Sequence, residues 1–212
     1  QCQRYKLNIL GGDTVRTEGP MVWTVTIIGE VPKGTAVMRS GAQVGDVVGV
    51  TNYVGYAATG LGALSYNLDG YDMTKIGHQR PDPQIELGEQ LRQLGVHSMN
   101  DISDGLGSEL NEIASASNVS IVIEEKAIPL HEETYELAKY LQTNPVDYAL
   151  YGGEDFQLVF TAPKALIPKL ENLSGITIIG EVISGPCLVQ MVTPDKTIKT
   201  IEAKGYNHFH ES

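Results

Sequence analysis

The chain has 212 residues, 42% hydrophobic and 19% charged, with a formal net charge of −11 at pH 7. That balance is ordinary for a globular protein, and such acidity argues against a nucleic-acid backbone as partner, which needs a basic footprint. The longest apolar runs, such as Val119 to Ile123, are strand-sized and too short to span a membrane.

Two cysteines, Cys2 and Cys187, lie far apart without CxxC spacing, so neither a zinc site nor a disulfide framework is indicated, and a reducing cytoplasm is the natural setting. An anionic small substrate stays open, provided that metal ions neutralise it. Gln1 to Lys6 lack the apolar run of a signal peptide. The chain does not begin with Met and runs at once into an apolar stretch, so the expectation is that it starts inside a larger protein.

In chain order, Lys6–Leu10 and Val22–Ile28 read as strands joined through Gly11-Gly12-Asp13-Thr14. Trp23, Val25 and Ile27 alternate with Thr24 and Thr26, the period of a half-buried strand. The character changes at Val31-Pro32-Lys33-Gly34-Thr35, where a domain boundary is expected. Val47–Thr51 reads as a strand and the Ala/Gly/Leu-rich Gly55–Leu68 as a tightly packed helix. Pro81 and Pro83 open a further helix, with Ile85, Leu91 and Leu94 on one side and Gly95 as its stop.

Beyond it, strands at Val119–Ile123, Phe156–Thr161, Ile176–Ile179 and Leu188–Val192 are interspersed with helices at Leu106–Ala116, Glu132–Leu141 and Pro163–Leu170. This mixture predicts an α/β (α+β) fold with a mixed sheet and packed helices, without fixing strand order or direction.

The strongest local signal is Asn100-Asp101-Ile102-Ser103-Asp104-Gly105-Leu106. Two carboxylates with a hydroxyl between them precede an amphipathic helix carrying Leu106, Leu110 and Ile113. Hard cations such as Mg²⁺ take one or two carboxylates plus phosphate oxygens and water, and a helix N-terminus favours a phosphate nearby. The plainer alternative is that Ser103 or Asp104 caps the helix.

Gly11-Gly12-Asp13-Thr14 either lets a phosphate approach the backbone or forms an ordinary hairpin turn. Gly152-Gly153-Glu154-Asp155-Phe156 is either a cleft-facing acidic pair or a solvated turn. In Arg39-Ser40-Gly41-Ala42, followed by Gly45-Asp46, the arginine suits a phosphate but is equally a surface charge. Lys204-Gly205-Tyr206-Asn207-His208-Phe209 is either packing or a stacking surface. The five histidines form no HxxxH or HExxH pattern, and neither a GxSxG elbow nor a Walker-type GxxxxGK[ST] loop is present.

Taken together and in order, these motifs, with Arg80-Pro81-x-Pro83, resemble the thiamine-monophosphate kinase family. That family is related to aminoimidazole-ribonucleotide synthetase, selenophosphate synthetase and HypE. The resemblance covers essentially the whole chain, and the terminal KGYxHF pattern is its narrowest element. It departs where Asn52 stands for a usual Gly, Ala57 for Ser and Asn207 for Asp.

The resemblance implies that residues 1–33 are the tail of an N-terminal ATP-binding and dimerisation domain, and that 34–212 form the C-terminal domain. The implied activity is ATP- and Mg²⁺-dependent phosphorylation of thiamine monophosphate to thiamine diphosphate, in a homodimer assembled through the N-terminal domain. This chain alone would be an incomplete and inactive fragment. Several Mg²⁺ ions are implied, and no general base, because the acceptor oxygen is already anionic. Gly12 and Asp13 would contact the nucleotide, Asp13 also a metal. Arg39 and Ser103 would bind ATP phosphates, Asp101 and Asp104 would ligate metal, and Glu154 and Tyr206 would contact the thiamine moiety. The alternatives are another ATP-using relative, such as aminoimidazole-ribonucleotide synthetase, or a non-catalytic ligand-binding fragment.

Overall fold

Apolar alternation yields a strand only where a neighbouring strand takes up its backbone N–H and C=O groups. In the computed structural model, which describes residues 2–204, the chain forms two units, Gln1–Pro32 and Lys33–Ser212. The first contains no strand among its described residues, so those expected at Lys6–Leu10 and Val22–Ile28 are not formed. Its alternating faces are exposed alike: Trp23, Val25 and Ile27 on one, Val22 and Ile28 on the other. The side-chain pattern is there, but no ladder accompanies it.

The second unit is built on seven strands: β1 (Asp46–Thr51), β2 (Ser98–Asp101), β3 (Ser120–Glu124), β4 (Leu158–Pro163), β5 (Ile176–Ile183), β6 (Val189–Val192) and β7 (Ile198–Ile201). They form one sheet in the order β2-β4-β1-β5-β3-β6-β7. Neighbours are antiparallel except β3 and β6, which run parallel. The helices are α1 (Tyr56–Ser65), α2 (Asp72–Gln79), α3 (Ile85–Leu94), α4 (Leu106–Ser117), α5 (Glu132–Leu141), α6 (Pro145–Tyr151) and α7 (Ile167–Leu170). The mixed α/β architecture is therefore as expected. No described helix is long and apolar enough to cross a membrane.

Two apolar clusters form the core. In one, Val48 and Val50 of β1, Val159 of β4 and Ile121 and Ile123 of β3 meet Leu106, Leu110 and Ile113 of α4 and Val146, Ala149 and Leu150 of α6. In the other, Val47, Phe160 and Ala162 meet Leu91 of α3 and Leu170 of α7. The alternation within β1 and β4 thus sends successive residues to opposite layers.

β5 changes sides partway along. Its register against β1 jumps from Val48↔Gly180 to Gly49↔Ile178, leaving Ile179 unmatched. Ile176 and Ile178 join the second cluster, whereas Ile179 and Val182 join the first. A one-residue bulge reverses the facing of everything beyond it.

Helix ends follow local chemistry. Asn144 caps α6 by accepting the Val146 N–H at 3.2 Å, with Pro145 next to it in the first turn, and His131 caps α5 through the Glu133 N–H at 3.3 Å. Gly95, at φ 85°, stops α3 in the left-handed conformation that glycine adopts freely.

Candidate active site

The short edge strand β2 leads into α4 through residues 101–105, and the chain from α6 leads into β4 through residues 152–157. These connections continue the β2–β4 pairing beyond Asp101↔Leu158. Ile102 donates its N–H to Gln157 O at 2.7 Å, Phe156 to Ile102 O at 2.9 Å and Glu154 to Ser103 O at 2.8 Å. Two motifs fifty residues apart are thereby held side by side.

The glycines make this approach possible. A Cβ on Gly153 would lie 2.2 Å from Ser103 O. One on Gly105, at φ 98°, would lie 2.7 Å from Leu150 O. Glu154 (φ 66°) and Phe156 (φ 49°) both adopt left-handed backbone, an unusual state for non-glycine residues that concentrates at functional sites.

Between them, Asp155 turns inward. It is buried, and its carboxylate accepts the N–H groups of Gly55 at 2.6 Å and Ala57 at 2.8 Å at the start of α1. Burial pushes its carboxyl up to about 7, against the pull of these backbone donors. Glu154 is left exposed on the opposite side.

The plainer reading of Ser103 and Asp104 is not what the geometry shows. The N-cap of α4 is Gly105, and no side chain caps the helix. Instead Glu109, in the first turn of α4, reaches back to accept the Asp104 N–H at 3.3 Å and the Ser103 hydroxyl at 3.4 Å. Its other oxygen takes a short hydrogen bond from Asn100 Nδ2. Burial pushes the Glu109 carboxyl up to about 7; the Asp104 N–H opposes this, while the charges of Glu112, Asp101 and Asp104 add to it.

Arg39 joins the same group. Its Nε donates to Asn100 Oδ1 at 3.1 Å and lies 3.1 Å from Glu112 Oε2. The loop carrying Arg39 is fastened to the far end of α4, where Ser117 Oγ accepts the N–H of Gly41 and of Ala42, each at 3.1 Å, and donates to Arg39 O. Asp46, a few residues further along, is structural. It is buried, accepts the Gln43 N–H at 2.8 Å and meets His97 Nδ1 at 2.9 Å.

Arg39, bonded to Asn100, and Glu154, bonded to Ser103, thus flank the β2–α4 connection that carries Asp101, Ser103 and Asp104. Gly12 and Asp13 lie in the first unit, both exposed, with Asp13 Oδ1 accepting the Thr14 N–H at 2.8 Å. Tyr206 lies outside the described residues.

Sequence reasoning missed Glu109, Asn100 and Glu112 as parts of this arrangement. A signal was present: Glu109 falls on the buried stripe of α4 with Leu106, Leu110 and Ile113, and a carboxylate there requires partners.

The donor set suits magnesium. Asp101 and Asp104 are exposed oxygen donors, and neither is spent on capping α4. Among the described residues no three His, Cys, Asp or Glu gather to hold a metal by themselves. Magnesium ordinarily takes only one or two carboxylates, completing its shell with phosphate and water.

The fold is thus a seven-stranded mixed sheet whose edge strand feeds an acidic turn and a helix. Residues 43–190 match the family described as AIR synthase related protein, C-terminal domain, and the chain belongs to it. Within that class its similarity is to thiamine-monophosphate kinases. It is 38% identical to that of Bacillus subtilis (strain 168) over 97% of this chain. The chain spans about two thirds of that relative's length, 65%.

Among solved structures, thiamine-monophosphate kinase from Stenotrophomonas maltophilia K279a superposes with a TM-score of 0.70 at 30% identity, covering 76% of this chain and 54% of that one. AaThiL complexed with AMPPCP and TMP gives 0.69 at 34%, covering 82% and 54%.

Proposed function

We propose that this chain forms the acceptor- and phosphate-binding part of a kinase that transfers the γ-phosphoryl of ATP to thiamine monophosphate, giving thiamine diphosphate. The observation that carries the reading is the backbone pairing of Glu154 with Ser103. It sets the acidic turn suited to a metal-bound nucleotide against the turn suited to a cationic acceptor. The similarity to a kinase solved with AMPPCP and TMP supports it.

On this reading residues 1–33 belong to an ATP-binding and dimerising domain, residues 34–212 form the C-terminal domain, and the kinase works as a cytoplasmic homodimer. Asp101 and Asp104 would hold magnesium in the C-terminal domain, and Asp13 would be a magnesium ligand of its own unit. When bound, these ions neutralise the facing phosphates and align them for in-line displacement. Gly12 lets the nucleotide approach the backbone, and Asp13 contacts it. Arg39 and Ser103 bind ATP phosphates, the guanidinium by charge-assisted hydrogen bonds and the hydroxyl as a donor once it turns from Glu109 to the phosphate. Glu154 offers a carboxylate to the thiazolium charge and the pyrimidine amino group, and Tyr206 offers a ring face. No side chain removes a proton, because the acceptor phosphate is already anionic near neutral pH.

The test is calorimetric titration of the protein with AMPPCP and Mg²⁺, then with thiamine monophosphate, alongside chromatographic detection of thiamine diphosphate made from ATP by the full-length kinase. Binding of both ligands is expected. Binding of AMPPCP without any affinity for thiamine monophosphate would overturn the acceptor assignment.

A further inference from the structure

One buried amide links the two residues assigned to ATP phosphates. Asn100, on the edge strand β2, is 7% exposed, and both ends of its amide are engaged. Oδ1 accepts Arg39 Nε at 3.1 Å. Nδ2 donates to Glu109, by a short hydrogen bond, and to Glu112 Oε2 at 3.1 Å. The partners fix the amide's orientation, since reversal would turn NH₂ toward a guanidinium and a carbonyl toward two carboxylates.

Glu109 carries the connection onward to the Ser103 hydroxyl and the Asp104 N–H. Every group facing the Glu109 carboxylate in these contacts is a donor. A carboxylate therefore serves where a glutamine would oppose one N–H with another. A second anchor lies at the residue before Arg39, where Met99 of β2 donates its N–H to Met38 O at 3.1 Å. The loop is thus tied to the strand, and the amide sets where the guanidinium points.

We infer that Asn100 and Glu109 are positioning residues that hold Arg39 and the Ser103–Asp104 turn at a fixed separation, matched to the phosphates of a nucleotide. Neither touches substrate. This rests on the nucleotide reading of Arg39 and Ser103 and names what sets their spacing. It differs from a purely structural role in one respect: the effect of Asn100 on nucleotide affinity runs through Arg39.

The experiment is a double-mutant cycle on AMPPCP affinity with Mg²⁺, using Asn100→Ala, Arg39→Ala and the pair. Asn100→Ala is expected to weaken binding about tenfold when Arg39 is present, the loss typical of a hydrogen bond to a charged group. In the Arg39→Ala background the same change is expected to cost less than about threefold, because interacting residues are not additive. The isosteric Glu109→Gln serves if Asn100→Ala does not fold, and should weaken AMPPCP binding while sparing thiamine monophosphate. Equal losses in both Arg39 backgrounds, or unchanged AMPPCP affinity in Glu109→Gln, overturn the inference and leave the kinase reading standing. Failure of the unsubstituted protein to bind AMPPCP overturns both.

Discussion

The carboxylate of Asp155 takes the backbone N–H of Gly55, one hundred residues earlier, at 2.6 Å. A helix start is thus capped from a distant loop, and the inward turn of Asp155 is what leaves Glu154 facing out. Asp155→Ala strands two buried N–H groups at about 1–3 kcal/mol each. Its folded carboxyl, about 7, lies above the ordinary 3.8. The native state therefore binds more protons between those values, and the contribution of Asp155 is greatest below pH 4 and declines toward pH 7. Denaturant titrations of both proteins from pH 4 to 8 should show the gap narrowing as pH rises; a widening gap sinks the account.

Glu154 adopts left-handed backbone while exposed, so its conformation has a cost that folding alone does not require. Glu154→Gly should stabilise the protein by about 1 kcal/mol. The same change should weaken thiamine-monophosphate binding by about 1–3 kcal/mol through loss of the charged contact. A thermal scan and a calorimetric titration check the two halves separately. Retained acceptor affinity would remove Glu154 from the site.

Asp104 neither caps α4 nor is buried, so replacing it tests charge with little effect on folding. In the full-length kinase Asp104→Asn should lower turnover severely, by about a hundredfold or more if the residue holds magnesium at the transferred phosphate. The midpoint of thermal unfolding should stay within about 2 °C, as for other surface changes. Near-normal turnover at saturating Mg²⁺ would refute the metal assignment.

Gly153 sits where any larger residue meets the Ser103 carbonyl at 2.2 Å. Gly153→Ala should force the two turns apart and cost about 1–3 kcal/mol of stability, as overpacking does. It should also weaken both AMPPCP and thiamine monophosphate, since each turn serves one ligand. Loss of one affinity alone would mean that the turns act independently.

Much of the fold was legible because periodicity and stop signals agreed. The helix Glu132–Leu141 forms with the expected bounds, and Gly95 ends α3 as read. What escaped notice was set by tertiary partners. Strand β2, Ser-Met-Asn-Asp, has residues poorly suited to strands and exists because β4 pairs with it. Helices α2 and α6 are short, and β7 has only four residues. The strands expected in residues 6–28 had the right alternation, but no ladder forms there.

The site followed the same rule. Asp101, Ser103 and Glu154 were visible as motifs because chemistry-bearing residues cluster locally. Glu109 and Asn100 were invisible as partners because only folding brings an amide on β2 against a carboxylate on α4.

The placement of β1 has a kinetic consequence. It is the first strand of the sheet in sequence, yet its neighbours are β4 and β5, with Val48 paired to Thr161 on one side and Gly180 on the other. The middle of the sheet therefore remains open until the chain is complete through β5, and closing it means bringing together segments more than a hundred residues apart. Such long-range pairing is slow compared with helix formation. On a ribosome, α1 to α6 emerge before β1 finds its neighbours. The turn bearing Glu154 can be fastened to Ser103 only as β4 arrives, so ligand-binding competence should be among the last properties this chain acquires.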